Sequence, residues 1–181
     1  MPRKIEVRIS GLGGQGVVLL GQILGRAAVY DGKYAIQSQS YGAEARGSSA
    51  RSEVIVSDDK VWFPKVRKCD ILVAMDQSSL KEHLDDLKEN GILLVDEHMV
   101  PEVPHVSAEV FRIPATKVAE TELRSSVYAN VFMLGALVGI TKIVTAEAVE
   151  KAIGDAVGQE YLEQNLKGLK KGIDFVGQMS R

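Results

Sequence analysis

Gly11, Gly13 and Gly16 stand at the spacing G-x-G-x-x-G. The run Gly11-Leu12-Gly13-Gly14-Gln15-Gly16 follows an alternating apolar–polar segment, residues 5–9, and precedes Val17, Leu20, Gly21, Leu24 and Ala28 at helical intervals. A strand that turns abruptly into a helix aims backbone N–H groups and the positive end of the helix dipole at one point. Glycines let the chain bend there and let a phosphate reach the backbone without meeting a Cβ. Two readings stay open on this pattern alone. One is a phosphate or pyrophosphate cradle built from Gly11, Gly13, Gly14, Gln15 and Gly16; the other is a tight turn that packs closely and binds nothing. A nicotinamide dinucleotide is disfavoured, because a ribose-holding acid is expected about 20 residues further on and residues 34–40 contain neither an acid nor an Arg for a 2′-phosphate. A P-loop is excluded, since no Gly-Lys-Ser/Thr follows at the required spacing.

A second chemistry-bearing segment is Tyr41-Gly42-Ala43-Glu44-Ala45-Arg46-Gly47, an acid, a guanidinium and an aromatic ring between two glycines. Arg46 offers a planar fork to a carboxylate or phosphate, with Glu44 in position to orient it; the plain alternative is an ordinary ion pair on a solvated turn. Other constellations are weaker. His83, His98 and His105 lack metal-binding spacing. Cys69, the single cysteine, precedes an apolar run and reads as a small core residue, and one thiol cannot supply the four that a typical iron–sulfur cluster requires. Ser48 and Ser49 sit in no Gly-x-Ser-x-Gly elbow.

The elements that must position these groups follow from periodicity. Strands are expected at residues 5–9, 34–40, 71–74, 92–95 and 110–113, and a hairpin from residues 52–56 and 61–63 around Ser57-Asp58-Asp59-Lys60. Leu80, Leu84 and Leu87 mark a helix closed by Asn90-Gly91. Helices are expected near residues 115–123, 128–139, 145–157 and 161–176, with Thr145 as an N-cap. Leu162, Leu166, Leu169, Ile173 and Val176 form a stripe that packs its helix on the same domain or faces a subunit. Gly21 and Gly25 let the first helix lie close on the sheet. The fold class is therefore α/β: a mostly parallel sheet with flanking helices, a Rossmann-like glycine-rich first βα turn and a helical C-terminal part.

Composition sets the outer limits. The 181 residues carry 22 Lys+Arg against 24 Asp+Glu, a formal charge of −2, with 45% hydrophobic and 25% charged residues, as expected of one globular domain spanning 1–181. Near-neutral charge supplies no broad basic face for nucleic acid. The strongly apolar stretch at residues 131–140 is far short of the roughly 20 residues that span a bilayer, and the first residues do not read as a secretory signal. A soluble, cytoplasmic protein is expected.

Taken together, Gly11-Leu12-Gly13-Gly14-Gln15-Gly16, Ser40-Tyr41-Gly42-Ala43-Glu44-Ala45-Arg46-Gly47, Pro114-Ala115-Thr116 and Asn130-Val131-Phe132-Met133-Leu134-Gly135-Ala136-Leu137 resemble the gamma subunit of 2-oxoacid:ferredoxin oxidoreductases. Leu12 and the Ser-Tyr-Gly before Glu44 look closest to the 2-oxoglutarate branch; pyruvate, branched-chain 2-oxo acid and indolepyruvate enzymes are the neighbouring alternatives, and a free-standing nucleotide-binding regulatory module is a third reading. Ala43 stands where the family loop often has Pro, and Ser48 where it often has Gly. The resemblance implies an enzyme that decarboxylates a 2-oxo acid on thiamine diphosphate and magnesium, passes electrons through iron–sulfur clusters to ferredoxin, and leaves the acyl group on coenzyme A. The thiamine diphosphate and clusters are implied to lie on alpha, beta and delta-type partners. This chain is implied to cap that assembly and complete the coenzyme A site, with no metal, membrane or nucleic acid of its own. On that reading the glycine turn receives the pyrophosphate, and Gln15 gives its amide to the ligand or the neighbouring loop. Arg46 with Glu44 faces a phosphate or the companion's cleft; Arg51 is a weaker candidate for the 3′-phosphate, the alternative being a place on the solvent face of a strand.

Overall fold

A computed structural model describes residues 3–43 and 48–179. Glu44 and Arg46 lie outside the described residues. Four parallel strands, β1 (Lys4–Leu12), β4 (Cys69–Ala74), β5 (Leu87–Asp96) and β6 (Glu109–Ile113), form most of a six-stranded sheet. On the other side of β1, β3 (Ser49–Ser57) pairs antiparallel, and β2 (Tyr34–Tyr41) pairs antiparallel with β3, so the order is β2-β3-β1-β4-β5-β6. The expected hairpin partner at residues 61–63 is not a strand. The reason is geometric: β1 and β2 already occupy both edges of β3, so nothing remains for residues 61–63 to pair with.

The sheet carries unequal layers. Val7, Ile9, Val54 and Val73 join one apolar cluster with α1 (Val17–Tyr30), α3 (Ala115–Glu122), α4 (Ala129–Thr141), α5 (Ala146–Ala156) and α6 (Gln159–Met179). On the opposite face Ile55, Leu72, Leu93 and Val95 meet Leu80 of the short α2 (Gln77–His83). Asp76 caps α2: burial pushes its carboxyl up, but hydrogen bonds from the amides and hydroxyls of Ser78 and Ser79 outweigh this and hold it below the usual carboxylate value. The helix expected to run on through Leu87 stops at His83. A 3-10 turn follows at Leu84–Asp86, and Leu87 opens β5 opposite Cys69. Asn90 (φ 58°) and Gly91 close no helix; they lie inside β5, where the pairing steps from Cys69–Leu87 to Ile71–Ile92 as at a β-bulge. Thr145 caps α5 as expected, its hydroxyl accepting from the Ala148 amide at 3.2 Å.

Glycine lets two helix contacts close. A Cβ on Gly21 would stand 1.9 Å from Ser52 Oγ, which is how α1 lies down on β3. α4 is buried from Ala129 to Val138, so it presents apolar surface on all sides. α6 crosses it through Gly172, and a Cβ there would meet the Phe132 carbonyl at 2.1 Å; a Cβ on Gly135 would meet the Leu169 carbonyl at 2.2 Å. The leucine stripe of α6 therefore packs within the chain, with Leu169 and Val176 buried and Leu162, Leu166 and Ile173 against the same core.

Gly135→Ala is expected to lower the unfolding free energy by about 1–3 kcal/mol, the usual cost of forcing atoms into a filled contact. Urea denaturation measures it, and an unshifted midpoint contradicts the backbone-to-backbone crossing.

Candidate functional site

The glycine turn sits at the carboxyl end of the parallel strands, between the end of β1 and the start of α1. Its shape depends on glycine at particular positions. Gly14 (φ 91°) and Gly16 (φ 72°) adopt left-handed backbone that side chains resist. A Cβ on Gly11 would meet Gln15 Oε1 at 2.6 Å and Met75 Cβ at 2.9 Å, and one on Gly16 would meet Asn130 Nδ2 at 2.3 Å. Gly13 differs. Its φ is not positive, it is exposed, and a Cβ would find only Ser48 O at 3.5 Å and its hydroxyl at 3.9 Å. The fold gives a reason for glycine at 11, 14 and 16 but none at 13.

Gln15 locks the turn. Its Oε1 accepts from the Leu12 amide at 2.7 Å while its Nε2 donates to the Met75 carbonyl at 2.9 Å, tying the end of β1 to the end of β4. The side-chain amide expected at the ligand or the neighbouring loop thus bonds within its own turn and to the residue after β4. Gly13 donates its amide to the Ser48 carbonyl at 2.8 Å, and Gly42 donates to Ser49 at 2.7 Å. Ser48, which follows the second chemistry-bearing segment in the sequence, therefore lies directly against the glycine turn. The amides of Gly14, Gly16 and Val17 carry no hydrogen bond among the described residues.

Beside the turn lies a cavity of about 260 Å³ lined by Gly14, Gln15, Met75, Met99, Thr116 and Ala129, among others. Its walls are the starts of three helices. Gln15 precedes α1, Thr116 belongs to the first turn of α3, and Ala129 begins α4. Asp96, fully buried at the end of β5, holds this edge together. It accepts from the Thr116 amide and hydroxyl at 2.9 and 2.7 Å, and from the amides of His98 and Met99 at 3.0 and 3.4 Å. Asn130 bridges α4 to the turn, donating to the Gly16 carbonyl at 3.4 Å and accepting from the Val131 amide at 2.8 Å. Asp96, Thr116 and Asn130 were not separable from the sequence as site residues by type or spacing; an acid closing an apolar strand and an Asn opening an apolar helix were the available signals. No described residue lining the cavity is Lys, Arg or His, and Glu120 stands at it. An anion here would be held by amides and helix ends.

Arg51 is not brought to this cavity. It lies in β3 opposite Ser10, half-exposed, with Nε 3.6 Å from Glu53, on the face that also buries Arg8. Arg8 donates to Glu53 at 2.7 and 3.1 Å, to Asp86, and to the Val66 carbonyl at 2.9 Å. His83 packs there too, and burial together with Arg8 and Arg51 pushes its pKa down despite Glu82 and Asp86. Cys69 is buried, and desolvation raises its thiol pKa to about 12, so it is no nucleophile.

A family model described as pyruvate ferredoxin/flavodoxin oxidoreductase matches residues 6–175. The chain is 47% identical over 177 residues to the KorC subunit of 2-oxoglutarate synthase of Methanocaldococcus jannaschii, covering 96% of this chain and 95% of that one. It is similar to the crystal structure of a keto/oxoacid ferredoxin oxidoreductase gamma subunit from Geobacter sulfurreducens, with 40% identity and a TM-score of 0.84 over 94% of this chain and 96% of the other. Its fold also matches the 2-oxoglutarate:ferredoxin oxidoreductase of Magnetococcus marinus, solved with 2-oxoglutarate, coenzyme A and succinyl-CoA bound, at a TM-score of 0.88. That likeness, at 21% identity, covers 97% of this chain and 31% of the longer one and is a likeness of fold.

The different standing of Gly13 and Gly16 can be measured. Gly16→Ala is expected to cost about 1–2 kcal/mol for its left-handed backbone alone, whereas Gly13→Ala is expected to stay within about 0.5 kcal/mol of the native chain. Equal losses in thermal or urea unfolding would contradict this description of the turn.

Proposed function

The chain belongs to the pyruvate ferredoxin/flavodoxin oxidoreductase family, and on that premise we propose that it is the gamma subunit of a 2-oxoglutarate:ferredoxin oxidoreductase. The whole enzyme oxidatively decarboxylates 2-oxoglutarate to succinyl-coenzyme A and passes the electrons to ferredoxin. The substrate assignment is supported by near full-length identity with a 2-oxoglutarate synthase subunit. Thiamine diphosphate, its magnesium ion and the iron–sulfur clusters belong to alpha, beta and delta-type companions, and this chain alone has no turnover.

This chain's own contribution is to hold an anionic part of coenzyme A. The observation that carries this reading is that the amides of Gly14, Gly16 and Val17 carry no hydrogen bond among the described residues, with Gly14 lining a cavity framed by three helix starts. A pyrophosphate fits such a donor set. The cavity, about 260 Å³, suits a diphosphate rather than a whole coenzyme, so the remainder falls to companion subunits. Bound coenzyme A supplies the thiol that takes the acyl group. Gly13 leaves the approach to the backbone open, Gln15 and Asn130 keep the donors in place, and Asp96 fixes the α3 side of the cavity. Arg46, with Glu44, stays a candidate for a phosphate or for the companion's cleft on its sequence alone. Arg51, half-exposed on the other face, is a weaker candidate for the 3′-phosphate.

Two measurements test the reading. The assembled enzyme is expected to show its highest kcat/KM with 2-oxoglutarate in a panel that includes pyruvate, branched-chain 2-oxo acids and indolepyruvate; preference for another member moves the chain to that branch. Isothermal titration of the same assembly is expected to find coenzyme A bound about tenfold more weakly by Gly13→Ala, a loss of about 1.4 kcal/mol. Unchanged affinity in an intact assembly would remove the glycine turn from the coenzyme A site.

A further inference from the structure

Between β3 and β4 the chain runs Lys60-Val61-Trp62-Phe63-Pro64-Lys65-Val66-Arg67-Lys68, four cations and no acid in nine residues. The segment is anchored. Val66 is buried and Val61 half-buried against the cluster beneath α2, and the Val66 carbonyl accepts from the Arg8 guanidinium at 2.9 Å. Pro64 fixes the backbone between these anchors. A segment that buries two valines has access to core, yet it leaves its two rings outside: Trp62 is 88% exposed and Phe63 53%. Single exposed apolar residues are ordinary, but an indole and a phenyl ring together, rimmed by Arg and Lys, have the composition of an interface centre.

Around Phe63 is a shallow depression of about 420 Å³, and five of the seven described residues lining it are Lys or Arg. Arg67 lies 5.5 Å above the Phe63 ring centroid. Lys88 is paired with Glu6 at 3.1 Å and Asp70 at 2.8 Å, and Lys4 with Glu6 at 3.0 Å. Lys60, Lys65 and Arg67 have no ion pair among the described residues. A chain of net charge −2 thus gathers unpaired positive charge around exposed aromatic surface. The patch lies where β1, β4 and β5 begin, the opposite end of the sheet from the glycine turn, so both surfaces can be occupied at once.

We propose that this face docks an acidic surface of a companion subunit, with Trp62 inserted as the central anchor and Lys65 and Arg67 pairing with carboxylates at the rim. The proposal rests on the reading of the chain as one subunit of a larger enzyme. A protein surface is favoured over a phosphate-rich nucleic acid or membrane because the unpaired cations surround an exposed indole and phenyl ring, the aromatic centre and charged rim of a polypeptide interface.

Trp62 is the only tryptophan of the chain, so growth with 5-fluorotryptophan gives one fluorine resonance that reports this site. Combined with unlabelled companion subunits, the labelled chain is expected to show that resonance shifted and its H2O/D2O solvent effect lost. Trp62→Ala, which removes no core contact, and the charge reversal Lys65→Glu with Arg67→Glu are each expected to weaken assembly about tenfold or more with unchanged thermal midpoints. A resonance unmoved in an assembly that turns over 2-oxo acid overturns the proposal, as does one that moves only with phosphatidylglycerol vesicles or a DNA duplex. Coenzyme A affinity, measured on the same preparation, reports separately on the glycine turn, so failure of either reading is told apart from failure of the other.

Discussion

One side chain, Gln15, holds the ends of two parallel strands at a fixed separation. By accepting from Leu12 and donating to Met75, it ties the end of β1 to the residue that follows β4. The left-handed residues on either side of it are Gly14 and Gly16, and Asn130 donates to the Gly16 carbonyl from α4. The amides of Gly14, Gly16 and Val17, which carry no hydrogen bond among the described residues, stand on this braced turn. Donors that need no reordering on binding lose less entropy when they bind.

Asp96 and Asn130 follow the same logic. Each directs its polar atoms at backbone: Asp96 at the start of α3 and the turn after β5, Asn130 at Gly16 and its own first turn. The polar side chains of this edge are framework, and on the proposed reading the recognising groups are peptide amides and helix ends. Recognition by amides reads the shape and negative charge of an anion rather than a particular functional group. On the proposed docking, the other end of the sheet uses opposite means, with cations and exposed aromatic rings. The molecule therefore has one end suited to a small anion and one suited to another polypeptide, separated by the length of its strands.

Much of this was legible in residue type and spacing. The glycine run between a strand pattern and a helix pattern located the turn, and the absence of an acid on the second strand steered the reading away from a nicotinamide dinucleotide. Buried strands such as Ile71-Leu72-Val73-Ala74 announced themselves by apolar runs. What failed was pairing. Residues 61–63 have strand composition, yet strand order is decided by which edges are already taken, and no local pattern encodes that. Asn90-Gly91 was read as a helix end but marks an irregularity within β5, and Leu80, Leu84 and Leu87 suggested a helix running up to it because a helical period and a strand start share an apolar residue at Leu87. Asp96 looked like any acid after a strand, since its worth lies in donors that arrive from 20 residues further along the chain.

The crossing of α4 and α6 carries a consequence for how this polypeptide can change over descent. Its contact is made by main-chain atoms at Gly135 and Gly172, with no flexible side chain between them to absorb error. Inserting or deleting one residue inside either helix rotates everything beyond it by about 100° and slides it by about 1.5 Å, which would bring a Cβ where only a hydrogen fits. Length variation is thus confined to the connecting loops, and the two helices must be inherited as a single block whose spacing cannot drift.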